Sequence, residues 1–267
     1  MGYTKKSLGQ HWLTDEATLK TICDSAGLGR DDTVLEIGPG LGNLTRHLVK
    51  RVKRVTAVEL DESLAAELPK TVTAPNLEVL QADILKFDVT RLPADYKVVA
   101  NIPYYLTSNL LRILSESPNP PATMALLLQR EVAERICASP GQMSILAVSV
   151  QLFYECQLGR VVPARLFRPP PKVDSQVVLL KRRSKPLFPD IDKANATRIN
   201  PVARDKFFRI VKAGFSGKRK KLRSSLAGAL NISKEQADEL LERAGIDGNL
   251  RAQELSLEQW HRLTRVF

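Results

Sequence analysis

Thr33-Val34-Leu35-Glu36-Ile37-Gly38-Pro39-Gly40-Leu41-Gly42 reads as a strand running into a glycine turn. The β-branched and aliphatic run stops at Gly38, and a helical stretch with Leu44, Leu48 and Val49 follows. Beyond it, Arg54–Leu60 has the composition of a second strand and Glu62–Leu68 of a second helix. Leu77–Gln81, Lys97–Ala100 and Thr123–Leu128 continue the strand series, with Ile145–Tyr154 and Gln176–Lys181 as later candidates. Strands that alternate with helices predict βαβ units in a doubly wound, mostly parallel sheet, an α/β fold of the Rossmann-like class.

The alternation breaks over residues 182–201, where Arg182-Arg183-Ser184-Lys185-Pro186 and Pro189-Asp190 have linker composition. Helix-like stretches follow at 204–216, 218–230, 233–244 and 256–266, with Ser233 and Gln236 spaced as a capping box. The expected division is therefore an α/β domain over 1–183 and a small all-helical domain over 184–267.

The 267 residues carry a formal net charge of +11, with 43% hydrophobic residues, enough apolar surface to exclude disorder. The charge is uneven. Residues 1–180 hold 20 Lys/Arg against 19 Asp/Glu, a net of +1, whereas 181–267 hold 20 against 10, a net of +10. No apolar run reaches the roughly 18–20 residues of a membrane span. The N-terminal stretch lacks both an apolar signal core and the serine position of a myristoylation signal. Cys23, Cys137 and Cys156 are widely spaced and form no CxxC pair, so packing thiols in the cytoplasm are expected, without disulfide or metal.

Gly38, Gly40 and Gly42 give a G-x-G-x-G spacing, not the G-x-G-x-x-G that cradles a pyrophosphate. Glycines at such a turn let the backbone approach a ligand, although a plain strand-to-helix turn would also use them. Glu59 ends the second strand, 21 residues after Gly38, where a carboxylate can accept from two ribose hydroxyls. Asp83 ends the third strand, where it can accept from an adenine amino group. Three such signals at successive strand ends point to an adenosine-containing ligand without pyrophosphate, and S-adenosylmethionine fits.

Asn101-Ile102-Pro103-Tyr104-Tyr105 ends the fourth strand. An exocyclic base amine is a poor nucleophile because its lone pair is delocalised into the ring. Acceptors on both of its N–H groups would draw the nitrogen toward a tetrahedral shape. The Asn101 amide oxygen and the Ile102 carbonyl can serve, Pro103 stiffens the turn, and Tyr104 can stack on a flipped base. A proline turn with two core tyrosines is the plainer alternative. His11, His47 and His261 have no triad-like context, and His47 is expected at the surface.

With these motifs in place, the chain resembles the ribosomal RNA adenine dimethyltransferase family of S-adenosylmethionine-dependent methyltransferases. The resemblance runs from Lys5 to the C-terminus through Gly9-Gln10-His11-Trp12-Leu13, Glu36–Gly42, Val58–Asp61, Asn101–Tyr105 and Phe167–Ser175. It implies that His11 and Leu13 close over the cofactor with Gly38, Glu59, Asp83 and Asn101. It implies an aromatic face from Phe167 opposite Tyr104, and N6,N6-dimethylation of two adjacent adenines near the 3′ end of small-subunit rRNA in a pre-ribosomal particle. His11-Trp12 departs from the Asn-Phe that often stands in this segment of the family.

Residues 204–223 carry nine cations against Asp205. A solvated helix face or a polybasic membrane contact would also explain such a run, but no lipidation signal accompanies it. Beside a base-modifying domain, phosphate binding by Arg209, Lys212, Lys218, Arg219, Lys220, Lys221 and Arg223 is the better reading. Large-subunit rRNA methylation, or a non-catalytic RNA- or DNA-binding factor on the same fold, are the alternative functions. Nothing in the sequence calls for a dimer, and a monomer is expected.

Overall fold

Central strands of a parallel sheet are covered on both faces, so they read as continuous apolar runs. Val34, Leu35, Ile37, Val98, Val99 and Met124–Leu128 are all buried in this way. The computed structural model describes residues 11–185, 187–188, 191 and 201–267. Gly9 and Gln10 of the first motif, Lys5, most of the expected linker and the side chain of Tyr104 lie outside these residues.

By contacts the chain divides into two compact units. One comprises the residues up to Glu134 with Tyr154–Arg182; the other comprises Arg135–Phe153 with the chain from Arg183 onward. The first unit opens with β1 (Trp12–Leu13), α1 (Glu16–Ser25), β2 (Thr33–Ile37), the single turn α2 (Thr45–Leu48), β3 (Arg54–Glu59), α3 (Glu62–Thr71) and β4 (Leu77–Gln81). It continues through β5 (Lys97–Asn101), α4 (Thr107–Glu116), β6 (Thr123–Gln129) and most of α5 (Arg130–Ile136), whose last two residues fall in the second unit. After α6 (Ile145–Gln151), which belongs to the second unit, come β7 (Tyr154–Val162), β8 (Phe167–Arg168) and β9 (Ser175–Arg182).

Seven strands form one sheet in the order β4-β3-β2-β5-β6-β9-β7, with β9 antiparallel to both neighbours and the first five mutually parallel. This is the doubly wound, mostly parallel arrangement. Connections turn one way from β2 to β3 and β4, and the other way to β5 and β6. The gap between β2 and β5 is therefore the switch point, outside whose carboxyl ends such sheets bind ligands. Helix starts are fixed locally: Asp15 accepts from the Thr18 amide at 2.9 Å, and Asp61 from Ser63 and Leu64 at 3.0 and 3.3 Å.

The second unit packs α6 with α7 (Pro201–Gly214), α8 (Leu222–Leu230), α9 (Lys234–Arg243) and α10 (Leu257–Val266). Its core joins Val148 and Leu152 to Phe207, Val211, Leu226 and Trp260. Capping boxes start α9 at Ser233/Gln236 and α10 at Ser256/Gln259. Two expectations need correction. Ile145–Tyr154 is not one strand: Ser144 caps a helix by accepting from the Ala147 amide at 3.1 Å, and Ala147, Val148 and Val150 are buried on it. Packing in the helical core thus overrides the strand preference of β-branched residues. His47 is no simple surface residue, since its Nε2 lies 2.8 Å from Glu16 and its side chain is only 22% exposed. No described helix is long and apolar enough to cross a membrane.

Candidate active site

The glycine turn after β2 is built on left-handed backbone. Gly38 and Gly40 have φ of +65° and +56°, a region that costs other residues energy. A Cβ on Gly40 would also stand 3.0 Å from the Trp12 Nε1, so this turn is closed over by β1. A Cβ on Gly38 would meet nothing closer than Pro103 at 3.8 Å, which leaves open space above that backbone.

Glu59 holds this turn in place. Its Oε2 accepts from the Gly40 amide at 3.1 Å, and its Oε1 from the Asp61 amide at 3.0 Å. Each ionised oxygen keeps a further acceptor site, so the carboxylate is aimed by the backbone and can still take two donors from a ligand. Asp83 is fixed less tightly: its Oδ1 accepts from Leu85 at 3.0 Å.

Asn101 ends β5 across the switch point. Its Nδ2 donates to the His11 carbonyl at 3.1 Å, which sets the orientation of the amide. The Oδ1 makes no hydrogen bond among the described residues. His11 is held in turn, with its Nδ1 2.8 Å from the Pro169 carbonyl. Around it, β1 pairs antiparallel with β8, Trp12 opposite Arg168 and Leu13 opposite Phe167. Asn43 Nδ2 donates to the Leu13 carbonyl at 2.8 Å. Two residues of strand are thereby tied to both the glycine turn and the connection before β9.

These groups line one cleft. His11, Gly38, Gly40, Glu59, Asp83, Asn101, Ile102 and Pro103, all expected there, are on its wall. Leu13 and Phe167 are not. Both are buried in the core with Leu19 and Val162, so the face of Phe167 is covered. The sequence reading did not assign a role to Trp12, Leu60 or Tyr105, which also line the cleft. Tyr105 is 58% exposed at the rim, and its hydroxyl pKa is raised by partial burial and then by the charges of Asp83 and Glu59. Its place beside Asn101 in the motif was the available signal. Behind the turn, Glu36 is fully buried, and burial, opposed by the neighbouring Thr45 hydroxyl and reinforced by the Glu59 charge, pushes its pKa up to about 8.

Cations expected to bind RNA stand on the second unit, and the structure separates them. Lys218, Arg219 and Lys220 are exposed in a turn. The helix expected from 218 starts only at Leu222, because Lys221 is extended (φ −60°, ψ 148°). Lys221 donates to Asn249 at 2.7 Å, and Arg223 pairs with Asp238 at 3.2 Å. Arg209 lies over the Phe267 ring and shares a groove with Lys212.

Residues 2–267 match the ribosomal RNA adenine dimethylase family. The chain belongs to this family. It is 39% identical to the ribosomal RNA small subunit methyltransferase A of Dehalococcoides mccartyi strain 195, over all of this chain and 90% of that one. Identity to the protein of the same name from Listeria welshimeri is 37%, over 97% and 89%. Among solved structures, the 23S rRNA methyltransferase ErmE superposes with a TM-score of 0.74 at 32% identity, over 96% of this chain and 98% of that one. A Plasmodium falciparum dimethyladenosine transferase gives 0.77 at 26%, over 95% and 96%. As a member of this family the chain is an rRNA adenine dimethyltransferase with a Rossmann-like fold.

Proposed function

We propose that this enzyme transfers methyl groups from S-adenosylmethionine to the N6 amines of two adjacent adenines near the 3′ end of small-subunit rRNA. The observation that carries the reading is Asn101, which lines the cleft with its amide nitrogen committed to the His11 carbonyl, leaving the oxygen as its acceptor. The open backbone at Gly38 and the backbone-aimed Glu59 carboxylate suit a ligand that offers ribose hydroxyls and no pyrophosphate. Asp83 is read as the acceptor for its adenine amine. When bound, this cofactor supplies an electrophilic methyl on a cationic sulfur.

The chain's own residues then have limited tasks. Asn101 Oδ1 and the Ile102 carbonyl take the two N–H groups of the target amine, which localises its lone pair and orients it. After one methylation a single N–H remains, so one acceptor suffices to hold the amine for the next transfer. Tyr104 is assigned to stack on the base. Phe167 is buried in the core opposite Leu13 and takes no part at the base. The proton leaves to solvent, and no side chain is required as a base. Cations of the second unit hold rRNA by its phosphates and thereby position the strand.

The ErmE likeness raises methylation of large-subunit rRNA as the alternative, although identity to the small-subunit methyltransferases is higher. Labelled cofactor with hypomethylated small subunits, naked rRNA and large subunits separates the two. Dimethyladenine in small-subunit rRNA is expected; label confined to the large subunit would replace that reading.

A further inference from the structure

The near-neutral charge of residues 1–180 hides a local excess. Residues 160–172 hold Arg160, Arg165, Arg168 and Lys172 and no acid. All four side chains are exposed, and no ion pair joins them to a carboxylate among the described residues. The first acid beyond them, Asp174, is occupied locally, accepting from the Ala164 amide at 2.9 Å. Arg168 is held in place: its Nη1 donates to the carbonyls of Arg165 and Phe167 at 3.0 and 3.1 Å. An arginine has five N–H donors, so most of this guanidinium remains available.

The position of this basic connection matters as much as its charge. β8 carries Arg168 opposite Trp12, and the Pro169 carbonyl is bonded to His11. Both Trp12 and His11 line the cleft. Lining that cleft are also the carboxyl groups of Glu59 and Asp83. A polyanion brought to an acidic cleft meets repulsion unless cations stand at its rim. A flipped nucleotide remains joined to the strand on both sides, which leaves its phosphodiesters at the mouth.

We propose that Arg165, Arg168 and Lys172 form a phosphate grip on the catalytic unit itself, binding the single-stranded RNA that flanks the adenine presented to Asn101. Guanidinium groups suit phosphate because they offer paired donors. The grip rests on the adenine-methylation reading and is separate from the basic turn of the second unit.

Its test uses the full chain and an RNA oligonucleotide carrying two adjacent adenines in a single-stranded loop. Arg165→Gln with Lys172→Gln removes two charges without touching the bonds that hold Arg168. The slope of log affinity against log salt should become shallower by about 1.4, since each phosphate contact on a single strand accounts for about 0.7. Affinity near physiological salt should fall roughly tenfold, on the same electrostatic basis. Arg165→Lys with Lys172→Arg should restore both, and cofactor binding by equilibrium dialysis should match wild type. An unchanged slope, in a wild-type background that does methylate the RNA, overturns the grip alone. If the wild type methylates no adenine in any rRNA, the functional reading falls instead.

Discussion

In the first unit the charged and polar groups of the cleft are aimed by backbone, whereas in the second the principal cations stand free in solvent. Glu59 is held by the amides of Gly40 and Asp61, and Asn101 by the carbonyl of His11. Lys218, Arg219 and Lys220 are exposed on a turn with no comparable tether. Chemistry needs fixed geometry, because an acceptor displaced from the amine stabilises nothing. Phosphate binding needs charge density more than geometry, since an ion atmosphere is released by any nearby cation. The two units therefore respond to substitution in different quantities.

The largest effect should come from Asn101→Ala. Removing a fixed polar group that acts on the reacting centre costs on the order of 10²–10³ in rate. The methylation rate at saturating RNA should fall by about that factor, while small-subunit affinity stays within a few-fold. A variant that loses binding and rate together would break the separation between the units. Glu59→Gln should come next. It removes the charge from an acceptor of backbone hydrogen bonds that is proposed to hold the cofactor ribose, so cofactor affinity should weaken roughly 10- to 100-fold. Equilibrium dialysis measures it directly, and an unaltered affinity would remove Glu59 from the cofactor site.

The same contrast appears in two glycines that face tryptophans. Gly40 needs glycine for its backbone, with Trp12 close above it. Gly214 ends α7, and its absent Cβ would lie 2.3 Å from Trp260, in the core of the second unit. Gly214→Ala should therefore cost about 1–3 kcal/mol of stability by overpacking. Thermal melting would register it, with cofactor affinity intact. Lys218→Glu with Lys220→Glu should instead leave melting unchanged, weaken subunit binding and flatten its salt dependence. Lys221 and Arg223 are poorer probes because Asn249 and Asp238 already engage them.

What was legible in the sequence follows the same division between local and distant causes. β2, the glycine turn, Glu59, Asp83 and Asn101 could be read because strand ends and turns are written in adjacent residues. The capping box at Ser233 was visible for that reason too. The β1–β8 pairing was not, since two residues of strand join positions 154 and 156 apart and carry no periodicity. Phe167 was expected to face a base, yet its alternation against Leu13 turns it into the core. Ile145–Gln151 has β-branched composition and became a helix because the surface that buries it is helical. The excess at 160–172 was averaged away when charge was counted over 180 residues.

Glu36 gives the sharpest test of how the first unit treats charge. It is buried behind the glycine turn, with a pKa of about 8 against an ordinary 4.5. Below pH 4.5 both folded and unfolded chains hold the proton, and the group adds no pH dependence. Between 4.5 and 8 the unfolded chain releases it while the folded chain keeps it, so folding loses stability as pH rises. Above 8 both forms are ionised and the loss levels off. Across that window the loss runs at about 1.4 kcal/mol for every step of one in pH, so the total is a few kcal/mol. Glu36→Gln removes the titration and should flatten this decline. Relative to wild type, its melting temperature without cofactor should improve from pH 5 to pH 8. Parallel pH profiles for the two proteins would mean that Glu36 finds a charged partner or water in solution. The contrast between a cleft that buries acid and a unit that exposes base would then lose its deepest member.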